Sequence, residues 1–281
     1  MQKTRIMVLA ALFCGLLQTA TVSIARAQAP ALKMSTLEEI TEDIKAVPCK
    51  NRDRLEAVKA LFKKMGATDS DMTVESKSGI NNLVVTKKGR TDEVVIVGAH
   101  YDKVADGCGA IDNWTGITII AHLYRTLRNA THNKTYRFVA FDSEETGLKG
   151  SAQMAKAIPK ESRAGFCAMV NFDSFGFTYP RTFSNGSSPK LVAAAKTLSA
   201  ELKVPFVDVR IENADADSSS FIGNGIPAVT FDGLREDWQK YLHSSNDKVE
   251  NINMSSVFVG YNYAVRYLGV VDGAACDAYR K

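Results

Sequence analysis

The chain has 281 residues, 45% of them hydrophobic, and a formal net charge of +4. That composition excludes a disordered chain and leaves no charge excess of the kind that nucleic acid or an anionic membrane selects. Even this surplus is concentrated at one end: Lys3, Arg5 and Arg26 fall in a leader without acids, so the rest of the chain carries +1.

Residues 1–27 read as a signal peptide. Lys3 and Arg5 form a basic start, Ile6–Ala20 is an apolar run, and Ala25-Arg26-Ala27 supplies the small-x-small cleavage pattern. The run is shorter than the roughly 20 apolar residues of a membrane span. The expectation is export, to the periplasm or the extracellular space, with no membrane association after cleavage. Residues 28–281 then form one domain, near the upper limit for a single core.

Beyond the leader, Thr36 and Glu39 make a capping box for an amphipathic helix over Leu37–Val47. Leu55, Val58, Leu61 and Phe62 share one face of a second helix, Arg52–Met65, which Gly66 stops. Met72–Lys77 and Asn82–Lys87 read as an antiparallel edge pair. Val94–Val97 is a short, continuous, β-branched run of the kind a buried parallel strand shows. Asp112-Asn113 suit the start of a helix over Trp114–Leu127. Next come a strand at Tyr136–Phe141, a helix at Gly150–Ala157 and a strand at Phe166–Phe172. A helix at Leu191–Leu202, a strand at Pro205–Ile211, a short helix at Ser218–Ile222, a strand at Pro227–Phe231 and a long helix at Asn253–Asp272 complete the chain. Strands alternating with helices define an α/β fold, a mixed, mostly parallel central sheet with helices on both faces.

Three of these strands end in acids or a histidine. The first delivers His100 and Asp102, the second Asp142, Glu144 and Glu145, the third Asp173. In open α/β sheets the ligand crevice lies past the carboxyl ends of the strands, so these residues and Asp112 mark a candidate site. An imidazole that binds metal usually gives its other N–H to a carboxylate; Asp102, two residues past His100 on extended chain, is placed to receive it. Adjacent Glu144 and Glu145 point to opposite sides of extended chain, so one can bind metal while its neighbour faces the space above. Of the four histidines, His100 and His243 lie in polar contexts near acids, whereas His122 and His132 read as packing or surface residues. Cys49, Cys108, Cys167 and Cys276 remain after the leader; in an exported chain they permit one or two disulfides, and spacing does not choose among three full pairings.

GAHYDKV, AIDNWTG, FDSEETGLKGS, NFDSFG and YLHSSNDKVENIN, in that order, resemble the motifs of the M28 family of zinc exopeptidases. The likeness is to the two-zinc aminopeptidases of the bacterial leucyl type, and GIPAVTF at Gly225–Phe231 resembles their penultimate strand. The resemblance implies the phosphorylase/hydrolase-like zinc-exopeptidase fold, two Zn2+ per chain and a peptide substrate. It implies that His100 and Asp173 hold one zinc, Glu145 and His243 the other, and that Asp112 bridges them. It further implies Glu144 as general base to a hydroxide shared by the zincs, Asp102 as the carboxylate behind His100, and Tyr241 as a group polarising the scissile carbonyl. Where many relatives have Ser-Asp-His, this chain has Ala216-Asp217-Ser218, which leaves substrate contacts there undetermined. Two other readings stand beside it: a single-zinc glutaminyl cyclase, which shares the fold and the HYD and EE pieces, and a non-catalytic binding relative. Nothing in the sequence sets the oligomeric state; a monomer is compatible with it.

Overall fold

In the computed structural model, which describes residues 32–212 and 214–280, the helices are α1 (Leu37–Lys45), α2 (Asn51–Lys64), α3 (Thr115–Leu127), α4 (Lys149–Ala157), α5 (Pro189–Leu202), α6 (Asp217–Ile222) and α7 (Met254–Gly273). The strands are β1 (Met72–Lys77), β2 (Ile80–Lys87), β3 (Val94–His100), β4 (Thr135–Phe141), β5 (Phe166–Phe172), β6 (Arg181–Phe183), β7 (Asp208–Val209) and β8 (Ala228–Asp232). The expected signal peptide lies outside the described residues. None of the described helices is long and apolar enough to cross a membrane.

The capping box forms as read: the Thr36 hydroxyl accepts the Glu39 amide at 3.3 Å, and the Glu39 carboxylate accepts the Thr36 amide at 2.9 Å. The eight strands among the described residues join one sheet in the order β1-β2-β4-β3-β5-β8-β6-β7. The middle four, β4-β3-β5-β8, are mutually parallel, while β1–β2, β2–β4 and β6–β8 are antiparallel.

Alternation along each central strand sends side chains into two cores. From β3, Val95, Val97 and Ala99 enter the larger core with α1, α2, α3, α5 and α7, while Ile96 enters the smaller one with α4 and α6. From β4, Tyr136, Phe138 and Ala140 go the first way and Val139 and Phe141 the second. Because both faces are covered, these strands read as unbroken apolar runs. Each such side chain contributes about 1.5–3 kcal/mol by leaving water, so an acid at Val97 would break the sheet at its centre.

Three local expectations are corrected. The strand expected over Pro205–Ile211 is only the pair Asp208–Val209 at the sheet edge; Phe206 packs on the core but Val207 is 49% exposed, so the segment is buried only in part. β6, three residues beside β8, has no counterpart in the sequence reading. The third helix starts at Thr115, because Ala110–Trp114 is a distorted turn with Asp112 (φ −112°, ψ 92°) and Asn113 (φ −138°, ψ 46°) outside helical geometry and a cis Asp112–Asn113 peptide. Asn113, not Asp112, gives α3 its first acceptor: its Oδ1 takes the amides of Gly116 at 3.0 Å and Ser174 at 3.1 Å, and its Nδ2 donates to Phe172 O at 2.9 Å. Gly116 is glycine because a Cβ there would lie 2.4 Å from Phe172 O. The helix is thereby pressed against the end of β5, and Asp112 is turned away from it.

Candidate metal centre

The parallel strands β4, β3 and β5 lie side by side, with His100 paired to Phe141 in register. Their carboxyl ends therefore open on the same crevice. His100 is the last residue of β3, Asp173 directly follows β5, and Glu144 and Glu145 follow β4. His243 arrives from the loop before α7. These residues line one cavity of about 520 Å³ together with Asp112.

Asp112 stands between the two histidines. Its Oδ1 is 3.1 Å from His100 Nε2 and its Oδ2 is 3.2 Å from His243 Nε2. His100 Nε2 also faces Asp173 Oδ1 at 3.5 Å, and His243 Nε2 faces Glu145 Oε2 at 3.0 Å. His100–Asp112–Asp173 and Asp112–Glu145–His243 thus form two donor triads, each with its ligand atoms within 4.8 Å of one another, sharing one carboxylate. Two imidazoles and three carboxylates suit a hard-to-borderline divalent ion such as zinc. A carboxylate with one oxygen toward each triad is the natural link between two ions. The buried Glu145 Oε1 has no hydrogen-bond partner, as suits an oxygen kept for an ion.

The electrostatics follow from crowding acids under low solvent exposure. Burial raises the Glu144 carboxyl well above its ordinary value, and the neighbouring carboxylates of Asp173, Asp217 and Asp112 add to it. Burial raises Glu145 as well. Bonds to Asp112 and Glu145 push His243 up to about 10. For His100 burial acts downward, but Glu144 and Asp173 outweigh it and the imidazole lies well above its usual range. Burial would raise Asp112, yet the two histidines hold it below the carboxylate range.

Asp102 lies near His100, with its Oδ1 3.4 Å from His100 Nδ1, but the expected hydrogen bond is not made. It also does something the sequence did not disclose: its two oxygens accept the amides of Glu144 at 3.0 Å and Glu145 at 3.2 Å. The acid pair therefore sits in a turn, entered through Ser143 at φ +58°, and not on extended chain; both side chains line the cavity. Tyr241 is not brought into this group. Its hydroxyl is held by Arg235, its ring packs 4.9 Å from that of Phe177, and it is not among the residues lining the cavity. His122 and His132 are both buried and structural: His122 sits 2.8 Å from Ser35 Oγ and 3.1 Å from Asp43, and His132 2.8 Å from Leu127 O.

Asp247, which the sequence reading passed over, grips the turn that carries Asp112. Its carboxylate accepts the amides of Ile111 at 2.6 Å and Asp112 at 3.3 Å, and burial pushes it up to about 7. The signal available was its place four residues past His243, in the same motif. Asp217 is fully buried and lifted to about 7 by that burial, and neither of its oxygens has a hydrogen-bond partner. Ser218 donates its hydroxyl to Gly186 O, lies 2.6 Å from Thr230 Oγ1 and does not line the cavity. Away from the acids the cavity wall is apolar, with Phe183, Ile211, Ala216, Leu234, Trp238 and Leu242.

Two histidines and three carboxylates thus gather at parallel strand ends, beside an apolar recess, in a candidate metal site on an α/β sheet. The model of peptidase family M28 matches residues 82–261, more than half of the chain; the protein belongs to that family. Aminopeptidase YwaD of Bacillus subtilis is 25% identical over 191 residues, covering 64% of this chain and 42% of the relative. The LapA aminopeptidase of Legionella pneumophila superposes with a TM-score of 0.70 at 23% identity, over 85% of this chain and 68% of that one. A glutaminyl cyclase from an Acidobacteriales bacterium superposes with a TM-score of 0.71 at 15% identity, over 90% and 99%. The chain spans about half the length of the curated relatives it matches.

Proposed function

We propose that the protein is an exported two-zinc aminopeptidase, a single peptidase domain from residue 28 onward that removes N-terminal residues from peptides. The observation that carries this reading is Asp112, with one oxygen toward His100 and the other toward His243. His100 and Asp173 would hold one zinc, Glu145 and His243 the other, with Asp112 between them. Bound there, zinc supplies a Lewis acid and lowers the pKa of water toward neutrality.

The chain's own groups do the rest. Glu144, half-buried in the cavity wall and raised in pKa, takes a proton from the attacking water and returns it to the leaving amine; such positioned transfer typically contributes 10²–10⁴-fold. Asp102 faces His100 and fixes the turn that presents both glutamates. The apolar wall accepts the substrate's first side chain and excludes water from the reacting carbonyl. Two disulfides, Cys49–Cys108 and Cys167–Cys276, suit an oxidising compartment and so favour export.

Glutaminyl cyclisation with one zinc is the second reading, kept because a glutaminyl cyclase shares this fold over 90% of the chain. One sample decides: zinc content by elemental analysis, release of residues from aminoacyl amides and peptides, and cyclisation of N-terminal glutamine. Two zincs with residue release is expected. One zinc with cyclisation alone would replace the proposal, and activity surviving verified zinc removal would refute the mechanism.

A further inference from the structure

The first turn of α2 lies against the loop that runs from His100 to Asp112 and is tied to it repeatedly. Cys49, just before the helix, is bonded to Cys108. Asn51 donates to Lys103 O at 2.7 Å and accepts the Lys103 amide at 3.0 Å. Arg54 is fully buried. Its Nε donates to Tyr101 O, Nη1 to Pro48 O at 3.0 Å and Cys108 O at 3.1 Å, and Nη2 to Gly109 O at 3.1 Å. The guanidinium lies 5.3 Å over the Trp114 ring.

All four of those acceptors are backbone carbonyls. The charge is answered only through space, by Asp247, Asp102, Asp112 and Glu145. A buried cation is a poor way to glue chain together, since apolar packing does it without the desolvation cost. A rigid fork of donors does something packing does not: it fixes carbonyls from separate segments at set distances. Here the segments are Tyr101, between His100 and Asp102, and Cys108-Gly109, just before the turn that carries Asp112. The fit is close, since a Cβ on Gly109 would come within 3.0 Å of Arg54 Nη1.

We infer that Arg54, helped by Asn51, is the positioning residue of the metal centre: it sets the separation of the segments that carry His100 and Asp112. Asp247 holds the amides of Ile111 and Asp112 in the turn that follows. This inference rests on the two-zinc reading above.

The test uses full-length protein carrying Arg54→Lys, which keeps the charge but loses the fork, Arg54→Met, which loses both, or Asn51→Ala. Cys167→Ser/Cys276→Ser serves as a destabilised control remote from the loop. Zinc affinity is measured on folded protein by competition with a chelating dye, alongside the Tm of each zinc-free protein. Both Arg54 variants should bind zinc roughly 10–100-fold more weakly, the usual consequence of losing a group that orients ligands, and Asn51→Ala several-fold more weakly. The control should lose Tm alone. Lower Tm with wild-type zinc affinity in the Arg54 variants would overturn the inference. So would an unchanged or higher affinity in Arg54→Met, because then only charge near the cations is felt. Should neither Arg54 variant fold, Asn51→Ala decides, and unchanged affinity there overturns it. Failure of the wild type to bind two zincs would instead sink the functional proposal.

Discussion

Asp102 shows how much one carboxylate can organise. Its oxygens hold the amides of Glu144 and Glu145 while one of them faces His100. Asparagine in its place keeps the size but replaces an acceptor by a donor, so at least one of the two amides loses its partner and the turn loosens. Asp102→Asn should lower zinc affinity by roughly 10–100-fold, read by chelator competition, with a parallel fall in kcat/KM. Glu144→Gln should behave differently. It removes the proton acceptor but none of the five donors, so turnover should drop about 10²–10⁴-fold with zinc content intact. Near-normal turnover in that variant would remove Glu144 from its role. The relation of His100 to Asp102 was legible because residues two apart on a strand end share a side. The glutamate turn was not, since Ser143 at positive φ carries no sequence mark. Arg54 was illegible for another reason, and Asp247 was marked only by its place in the His243 motif: both act on backbone amides and carbonyls, and such partners leave no trace in residue type.

At the scale of elements, the central strands and most helices could be read because burial of both faces dictates their composition. β6 and β7 could not, being three and two residues long, too short for any period to show. Between α1 and α3 lies a polar knot that periodicity also hides. Asp43, 5% exposed, accepts from Lys64 at 2.6 Å and sits 3.1 Å from His122, while its backbone carbonyl takes the Trp114 indole N–H at 2.9 Å. Burial acts to raise the Asp43 carboxyl, but His122 and Lys64 outweigh it and hold it below its ordinary value of 3.8. A depressed folded-state pKa stabilises above the unfolded value, and that stability is lost as pH falls through the folded one. Asp43→Asn should therefore cost about 1–3 kcal/mol near neutrality. The gap in urea midpoint between variant and wild type should narrow below about pH 4, the ordinary range of an aspartate. A gap that stays constant to pH 2 would mean the loss is one of packing and not of charge.

For the whole molecule the two disulfides offer a paired comparison, and their pairing is something cysteine spacing did not choose. Cys49–Cys108 closes 59 residues and Cys167–Cys276 closes 109. In the chain-entropy account that difference in loop length amounts to only about 0.5 kcal/mol. On that account the two bridges should matter almost equally to folding. Their surroundings differ sharply. Cys167 is the second residue of the central strand β5 and Cys276 follows α7, where Arg280 also donates to Phe166 O at 2.7 Å and Gly225 O at 2.7 Å. That bridge fastens the end of the chain at the sheet border opposite the crevice. Cys108 lies in the loop between His100 and Asp112, and its amide donates to Asp247 O at 2.8 Å. Each double serine variant should lose about 2–5 kcal/mol of stability, seen as a lower Tm. Cys167→Ser/Cys276→Ser should keep wild-type kcat/KM and zinc affinity at temperatures where it is folded. Cys49→Ser/Cys108→Ser should lose both in part, because the loop then swings on Arg54 and Asn51 alone. Equal activity in the two variants at equal Tm loss would show that the bridge beside the site is an ordinary staple, and that the fork of Arg54 suffices to keep Asp112 in place.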